Sequence, residues 1–404
     1  MESSQLASAR PERRPRIAHV TSARGVGAAE KLTTALLAEG TRRGWEQLVL
    51  HPFGDSESQA AMLREWPAAQ YESRECSTFL ELVKLRLWLA QKLAEFKPDI
   101  VHVSLFHASV LMATLPRRGE RRVLTHAYGD GLAQLSFPRL RNVLDRWAGR
   151  SFDHVSAVSD SVKRFLEQEH GYPPPALSRI VLGWQGDVLP AKPAATQSPT
   201  IVCVALLRPE KDHATLLKAF KCVRGGVPNA RLVLVGDGPC RAELESAVRA
   251  AGLEESVHIT GFVPDTWPYL ADASVFALAS PTDLGRATQV PNAHKYWHQN
   301  AVMEALAAGL PAVVAAVGGL PDFIEEGITG ELFEYGNHEE LAHKLIALIR
   351  DPERLTRMST AARSAAAELH IDVAATEYFA LFDELLRHQG KWYGSVRCSR
   401  KSRV

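Results

Sequence analysis

Short runs rich in Val, Ile and Leu alternate with longer helical patterns along this chain, and the alternation runs through twice. The first pass puts strands at RIAHVTS (16–22), EQLVLH (46–51), DIVHVS (99–104), RRVLTH (121–126), HVSAV (154–158) and RIVL (179–182), with helices near 28–43, 78–96, 137–149 and 160–169. WQGDVLPAKPAATQSP (184–199) then has no periodicity and reads as an interdomain linker. The pattern restarts with TIVCVAL (200–206), RLVLVG (231–236), SVHITG (256–261), ASVFALA (273–279), PAVVAA (311–316) and TGELFE (329–334). Helices fall near 212–225, 239–251, 300–308 and 338–350, with more helix beyond. Such alternation specifies parallel sheets covered by helices, an α/β chain of two Rossmann-like domains facing across a cleft. The domains are expected at 16–190 and 191–370, and ligands in such sheets bind at the carboxyl ends of the strands.

A length of 404 residues exceeds one ordinary core and agrees with two domains. A net charge of +1 gives no sign of general nucleic-acid binding. Cys76, Cys203, Cys222, Cys240 and Cys398 form no CxxC pair, which suggests a reducing compartment, the cytoplasm, and no zinc site. The first fifteen residues, MESSQLASARPERRP, are polar and lack the apolar stretch of a secretory signal, so they read as a loose tail. The long apolar run 301–321 contains Glu304, Pro311 and Pro321, and reads as helix, turn and strand rather than a membrane span. The basic end GKWYGSVRCSRKSRV suits either a solvated tail or contact with an anionic membrane surface.

The loops after the second set of strands carry the chemistry. LRPEKDH places Arg208 and Lys211 three residues apart before a helix that Asp212 can cap. Two cations at a strand end beside a helix amino terminus make a seat for a diphosphate. In GDGP (236–239), Gly238 permits a positive φ and Pro239 suits the first helical position. GFVPD (261–265) and GGLPD (318–322) add two more glycine loops. Each alone is an ordinary βα turn, whereas four on one rim point to a ligand site. In the first half, SARGVGAAE has Gly25 and Gly27 but Glu30 where a dinucleotide fingerprint has its third glycine, which argues against an NAD enzyme. His126 ends a strand and is either a cleft residue or a structural one, while His102 and His107 read as structural.

The order LRPEKDH, LVLVGDGPCRAELE, VHITGFVPD, ASVFALAS, MEALAAGLPAVVAAVGGLPDFIEEGITGELFE resembles the donor half of glycosyltransferase family 4, the retaining nucleotide-sugar transferases with the GT-B fold. GAAE, KPDIVHV, VLTHAYG and DHVSAVSDSVKRFL are similar, more weakly, to its first half. The resemblance spans residues 16–388 and implies that a helix at 371–388 crosses back to the first domain, ahead of a basic tail at 389–404. It implies that Arg208 and Lys211 neutralise the donor diphosphate in place of a metal, so that neither metal nor cofactor is needed. It also implies that Glu304 binds the ribose hydroxyls, that the backbone at Val263 reads the base, and that Gly318 and Gly319 lie near the phosphates and sugar. Gly27, Gly238 and Asn300 are further donor-binding positions, and His126 matches a catalytic cleft histidine. The implied partners are a UDP-, GDP- or other nucleotide sugar and a glycan or lipid-linked acceptor of cell-envelope or exopolysaccharide synthesis, with peripheral contact at the inner membrane face.

The chain departs from the family pattern at one place that matters. The family has two glutamates separated by seven residues; counting back from Glu304, that position is Tyr296, while Asp283 in SPTD has the right chemistry and distance from the preceding strand. Residues 284–297 then form an insertion. Asp322 replaces the usual Glu after GGLP, and QGD stands for NGxD. Two other readings remain open at this level: a nucleotide-sugar binding protein without transferase activity, and a sugar-nucleotide epimerase of the same fold.

Overall fold

A computed structural model describes residues 13–22, 28–53, 70–74, 79–126, 138–187, 198–280, 300–317 and 319–387. The first set of strands is β1 (Arg16–Thr21), β2 (Glu46–Pro52), β3 (Gln70–Arg74), β4 (Ile100–Ser104), β5 (Arg121–His126), β6 (His154–Ala157) and β7 (Leu177–Arg179). They form a seven-stranded sheet in the order β3-β2-β1-β4-β5-β6-β7. Its helices are α1 (Ala28–Arg42), α2 (Phe79–Phe96), α3 (Phe106–Ala113), α4 (Pro138–Gly149) and the short α5 (Asp160–Phe165).

The second set is β8 (Thr200–Val204), β9 (Arg231–Val235), β10 (Val257–Gly261), β11 (Val275–Leu278), β12 (Ala312–Ala315) and β13 (Gly330–Phe333). Its six-stranded sheet runs β10-β9-β8-β11-β12-β13. The helices are α6 (His213–Gly226), α7 (Arg241–Ala251), α8 (Trp267–Asp272), α9 (Asn300–Ala307), α10 (His338–Arg350), α11 (Pro352–Glu368) and α12 (Ile371–Arg387). Both sheets pair parallel, as in β1 with β4 and β8 with β11. In each, the chain leaves the middle strand in one direction and returns on its other side, which creates a switch point at β1/β4 and at β8/β11.

The strands read as unbroken apolar runs because helices cover both faces; AVVA in β12 is buried throughout. The run 301–321 resolves into α9, a glycine turn and β12, as its sequence indicates. At the end of α9, Leu310 N–H donates to the Ala305 carbonyl (2.9 Å) and Gly309 takes φ +74°, a left-handed stop that glycine adopts without Cβ strain. The sequence reading missed β3, whose QYESR is polar with only Tyr71 of it buried, and the helices α3 and α8, and it set β7 at RIVL where the structure has LSR.

Contacts divide the chain into two compact units: residues up to 125, 144–155 and from 375 on; and residues 126–143 and 156–374. In the first, Trp45 stacks edge-on to Phe379 of α12 (5.0 Å), and His102 lies 5.3 Å from Tyr378. A buried polar chain runs from His19 Nδ1 to His102 Nδ1 (3.3 Å), from His102 Nε2 to Thr125 Oγ1 (2.7 Å), and on to the Tyr378 hydroxyl (2.6 Å). The C-terminal helix therefore returns to the first sheet, and His102 is structural. The core of the second unit gathers Phe220, Phe276, Met303, Leu306, Val313 and Phe333, all nearly or wholly buried.

The segment expected to be a linker is anchored at its start. Trp184 is 1% exposed, and its indole N–H donates to the Ala366 carbonyl (2.6 Å). Its ring lies 5.7 Å from Trp267 and 4.9 Å from His370, and its backbone pairs with Leu369 and Ile371. A Cβ on Gly183 would come within 2.6 Å of the Ile371 Cα, so glycine there lets the two backbones touch.

Candidate donor site

The rim of the second sheet is built from loops that hydrogen-bond to one another. After β8, Ala205 N–H donates to the Val235 carbonyl (3.0 Å) and Leu207 N–H to the Asp237 carbonyl (3.0 Å). Cys240 N–H returns to the Leu207 carbonyl (2.9 Å), so the Arg208 loop and the GDGP loop form one surface. Gly236 and Gly261 form an isolated bridge that adds the Val263 loop. The positive φ expected at Gly238 belongs instead to Gly236, at +143°. Gly238 is required for another reason: a Cβ there would stand 2.5 Å from the Leu207 carbonyl oxygen. Pro239 is also not the first helical residue, since α7 begins at Arg241 with Cys240 as its N-cap.

Asp237 supports this surface, a role its sequence context did not disclose. Its carboxylate accepts Gly238 N–H (2.8 Å) and pairs with Arg241 (3.1 Å), which in turn pairs with Glu245 (2.8 Å). The Gly238 N–H above all, and the Arg241 guanidinium, hold the Asp237 carboxyl below the usual carboxylate range.

Arg208 has extended backbone and a half-exposed side chain, with Glu210 Oε1 3.8 Å from its guanidinium. Pro209–Lys211 form a single 3-10 turn, and Asp212 follows in the left-handed region (φ +44°). Its carboxylate accepts Thr215 N–H (3.1 Å), capping α6 as expected. Lys211 stands close enough to Cys203 and His213 for its charge to act on both. Burial pushes the Cys203 thiol up to about 12 and the His213 imidazole down to about 4, so both are neutral near pH 7.

Glu304 lies on α9, the helix after β11, the neighbour of β8 in the sheet. It is less deeply placed than the apolar sequence around it suggests: partly buried, between buried Met303 and Ala305. Asn300 starts the same helix, and its Oδ1 is buried with no hydrogen-bond partner among the described residues, as is Ser280 Oγ before it in the chain. Unsatisfied buried oxygens are uncommon in folded chains and are expected where a ligand or water completes the network. Val263 is partly buried against the core, beside Phe262, which is 78% exposed. Gly319 is buried and opens the turn Leu320–Phe323 after β12.

Arg208, Lys211, Gly238, Val263, Asn300, Glu304 and Gly319 thus follow β8, β9, β10, β11 and β12 in turn, about the β8/β11 switch point. Gly27, Asp283, Tyr296 and Gly318, with the insertion 284–297, lie outside the described residues. His126 ends β5 and is buried; its ring meets that of His170 edge-on at 6.1 Å, and His170 Nε2 is 2.8 Å from Asn142 Oδ1. Asp322 is turned to structural use: it accepts Ser161 N–H (3.0 Å) at the start of α5 and lies 3.7 Å from Arg164. Burial raises its carboxyl above the ordinary value, and the Ser161 N–H opposes that rise.

Comparison with known proteins agrees with this architecture. Residues 188–365 match the family model of glycosyl transferases group 1, and residues 29–182 match that of glycosyltransferase family 4. The GDP-mannose-dependent alpha-(1-6)-phosphatidylinositol monomannoside mannosyltransferase of Mycobacterium tuberculosis is 30% identical over 280 residues, covering 66% of this chain and 71% of that protein. The N-acetyl-alpha-D-glucosaminyl L-malate synthase of Bacillus anthracis is 26% identical over 321 residues, 74% of this chain and 80% of the relative. Among solved structures, Anabaena HepE in complex with UDP superposes with a TM-score of 0.75 at 18% identity, over 91% of this chain and 100% of that one. Sheet order, rim and relatives agree: the chain belongs to glycosyltransferase family 4, the group 1 glycosyl transferases, and is a glycosyltransferase of the GT-B fold.

Proposed function

We propose that the protein is a retaining, metal-independent glycosyltransferase that moves a sugar from a nucleotide-sugar donor to a hydroxyl of a glycan or lipid-linked acceptor. The observation that carries this reading is the placement of Arg208 and Lys211 after β8 and of Glu304 after β11, on the two sides of one switch point. Relatives named for GDP-mannose and a fold neighbour bound to UDP support a nucleoside diphosphate as leaving group. The relatives' lipid and small-molecule acceptors support a hydroxyl nucleophile.

In the reaction the bond between the anomeric carbon and the β-phosphate oxygen breaks, and its electron pair leaves with the diphosphate. Arg208 and Lys211 direct fixed positive charge at that developing negative charge. The acceptor oxygen bonds to the anomeric carbon on the face the diphosphate leaves, and its proton passes to a donor phosphate oxygen. No protein nucleophile is required. Glu304 accepts hydrogen bonds from the ribose hydroxyls, the backbone at Val263 meets the base, and Gly238 and Gly319 let main chain approach the phosphates. Asp283 is the candidate for the family's first acid, and His126 for a group near the sugar.

Incubation with a panel of nucleotide sugars and acceptors tests the reading. An α-linked product from an α-linked donor, formed equally with and without EDTA, is expected. An inverted product removes the retaining assignment, and strict dependence on added Mg²⁺ or Mn²⁺ removes the metal-free one. Altered free sugar nucleotide would indicate an epimerase, and binding without product a non-catalytic protein.

A further inference from the structure

A cavity of about 770 Å³ opens in the first unit at the amino ends of its strands, the edge opposite the loops where sheets of this kind bind substrates. Asp99, just before β4, and Arg121, the first residue of β5, line it together with Arg13, shortly before β1. β1, β4 and β5 are neighbours and run parallel, so these ends share one rim. Leu93 and Ala94 of α2, Leu115 and Pro116, and Leu385 and Leu386 of α12 supply an apolar lining. The volume is that of a small-molecule site, and apolar walls with a few placed charges are the usual composition of one.

The charges of the cavity do not balance. Its acids are engaged: Asp99 accepts Arg16 N–H (2.8 Å) and lies 3.4 Å from Arg13, while Glu120 accepts Arg118 N–H (2.7 Å) and pairs with the buried Arg122 (2.7 Å). Arg121 has Asp153 3.7 Å away. Lys97 and Arg118 also line the cavity, and neither side chain has a hydrogen bond or ion pair among the described residues. Lys97 holds its place against a conformational preference. It follows α2 directly and takes φ +52°, its N–H bonded to the Leu93 carbonyl (2.9 Å), in a left-handed stop where glycine is the unstrained residue.

We propose that this cavity is a second ligand site, for a soluble organic phosphomonoester whose phosphate meets Lys97 and Arg118 and whose apolar part lies on the leucine lining. The charge selects the head: a phosphomonoester carries about two negative charges near pH 7, matching the two unpaired cations, where a carboxylate supplies one. The lining selects the body, since a bare phosphate would leave that apolar surface in water. Residues 388–404, which follow α12, contain no Asp or Glu and offer these cations no counter-charge. The inference does not rest on the proposed reaction and is measured without it.

Titration calorimetry of the full chain with 1-naphthyl phosphate, 1-naphthol and inorganic phosphate tests it. The phosphomonoester should bind at least about tenfold more tightly than either fragment, because only it uses both linings. Lys97→Gly combined with Arg118→Gln should weaken its binding about tenfold or more, the scale of losing charge-assisted contacts. The melting curve should not fall, since the first change relieves a left-handed residue and the second removes no ion pair. An affinity that the double variant leaves unchanged, whether or not Arg208→Ala lowers it, puts the probe elsewhere and overturns the inference. Absence of 1-naphthyl phosphate binding overturns it too, as does inorganic phosphate of equal affinity, which would mark an adventitious ion only. Arg118 is exposed, so Arg118→Gln alone is a second variant that leaves the fold intact. It should weaken the probe about threefold or more, and an unchanged affinity refutes the phosphate seat. Vesicles containing phosphatidic acid that bind the chain through Lys97 and Arg118, while 1-naphthyl phosphate does not bind, would give these cations to a lipid headgroup and refute the soluble ligand.

Discussion

Arg208 and Glu304 are polar residues of one rim to which the proposed reaction gives different tasks, and substitution should separate them. In the proposed reaction the charge facing Arg208 and Lys211 grows as the diphosphate departs, so Arg208→Ala or Lys211→Ala should lower kcat by about 10²- to 10³-fold, the scale of losing one preorganised donor. Nucleoside diphosphate affinity should fall much less; steady-state kinetics beside calorimetry would distinguish the two effects. In the same proposal Glu304 holds hydroxyls that do not change during transfer, so Glu304→Gln should weaken nucleotide binding with kcat nearly preserved. An unchanged affinity with an altered melting temperature would make it a structural carboxylate.

The site depends on elements as much as on side chains, because three loops hold one another in place. Gly238→Ala would push a Cβ against the Leu207 carbonyl, 2.5 Å away, where main chain cannot yield cheaply. A loss of about 1–3 kcal/mol is expected, as for other overpacking changes, together with weaker nucleotide binding, read by urea unfolding and titration. Trp184 ties the segment that begins at residue 184 to α11 through its bond to Ala366 and to His370, between α11 and α12, through its ring. Trp184→Phe should keep most of the packing and leave the Ala366 carbonyl its bond from Leu369 N–H, so loss of the indole bond should cost only about 0.5–1.5 kcal/mol.

Across the whole molecule, buried histidines tie stability to pH. Desolvation lowers His19, His154 and His213 from 6.5 to about 4, and His102 well below 6.5. Their folded-state values lie below the unfolded one, so the unfolded chain binds more protons between them. Stability is therefore complete above pH 6.5 and falls as pH drops from 6.5 towards 4, by up to about 1.4 kcal/mol per pH unit for each histidine. Melting temperatures across that window should fall steeply, and a flat profile would contradict the burial of these rings as neutral groups. Tyr378→Phe, which removes the last member of the chain from His19, should cost about 1–3 kcal/mol of stability.

The repeated alternation of apolar strands and helical patterns was enough to determine two parallel sheets, since period and length of apolar runs are local properties. It also located the carboxyl-end loops, and with them Arg208, Lys211 and Glu304, because a βα connection leaves its loop beside its own strand. The sequence did not reveal β3, because QYESR has no apolar pattern and is held by pairing with β2. Nor did it show why Gly238 is glycine: the clash is with Leu207, on a loop brought close only when β8 and β9 pair. The linker pattern hid Trp184, whose partners at 366 and 370 lie far along the chain. Asp322, expected among the site loops, was given its role by Ser161, a neighbour that only the tertiary structure supplies. Local spacing thus set the elements and the rim, while the contacts that fix and support the rim come from segments distant in sequence, where no local pattern records them.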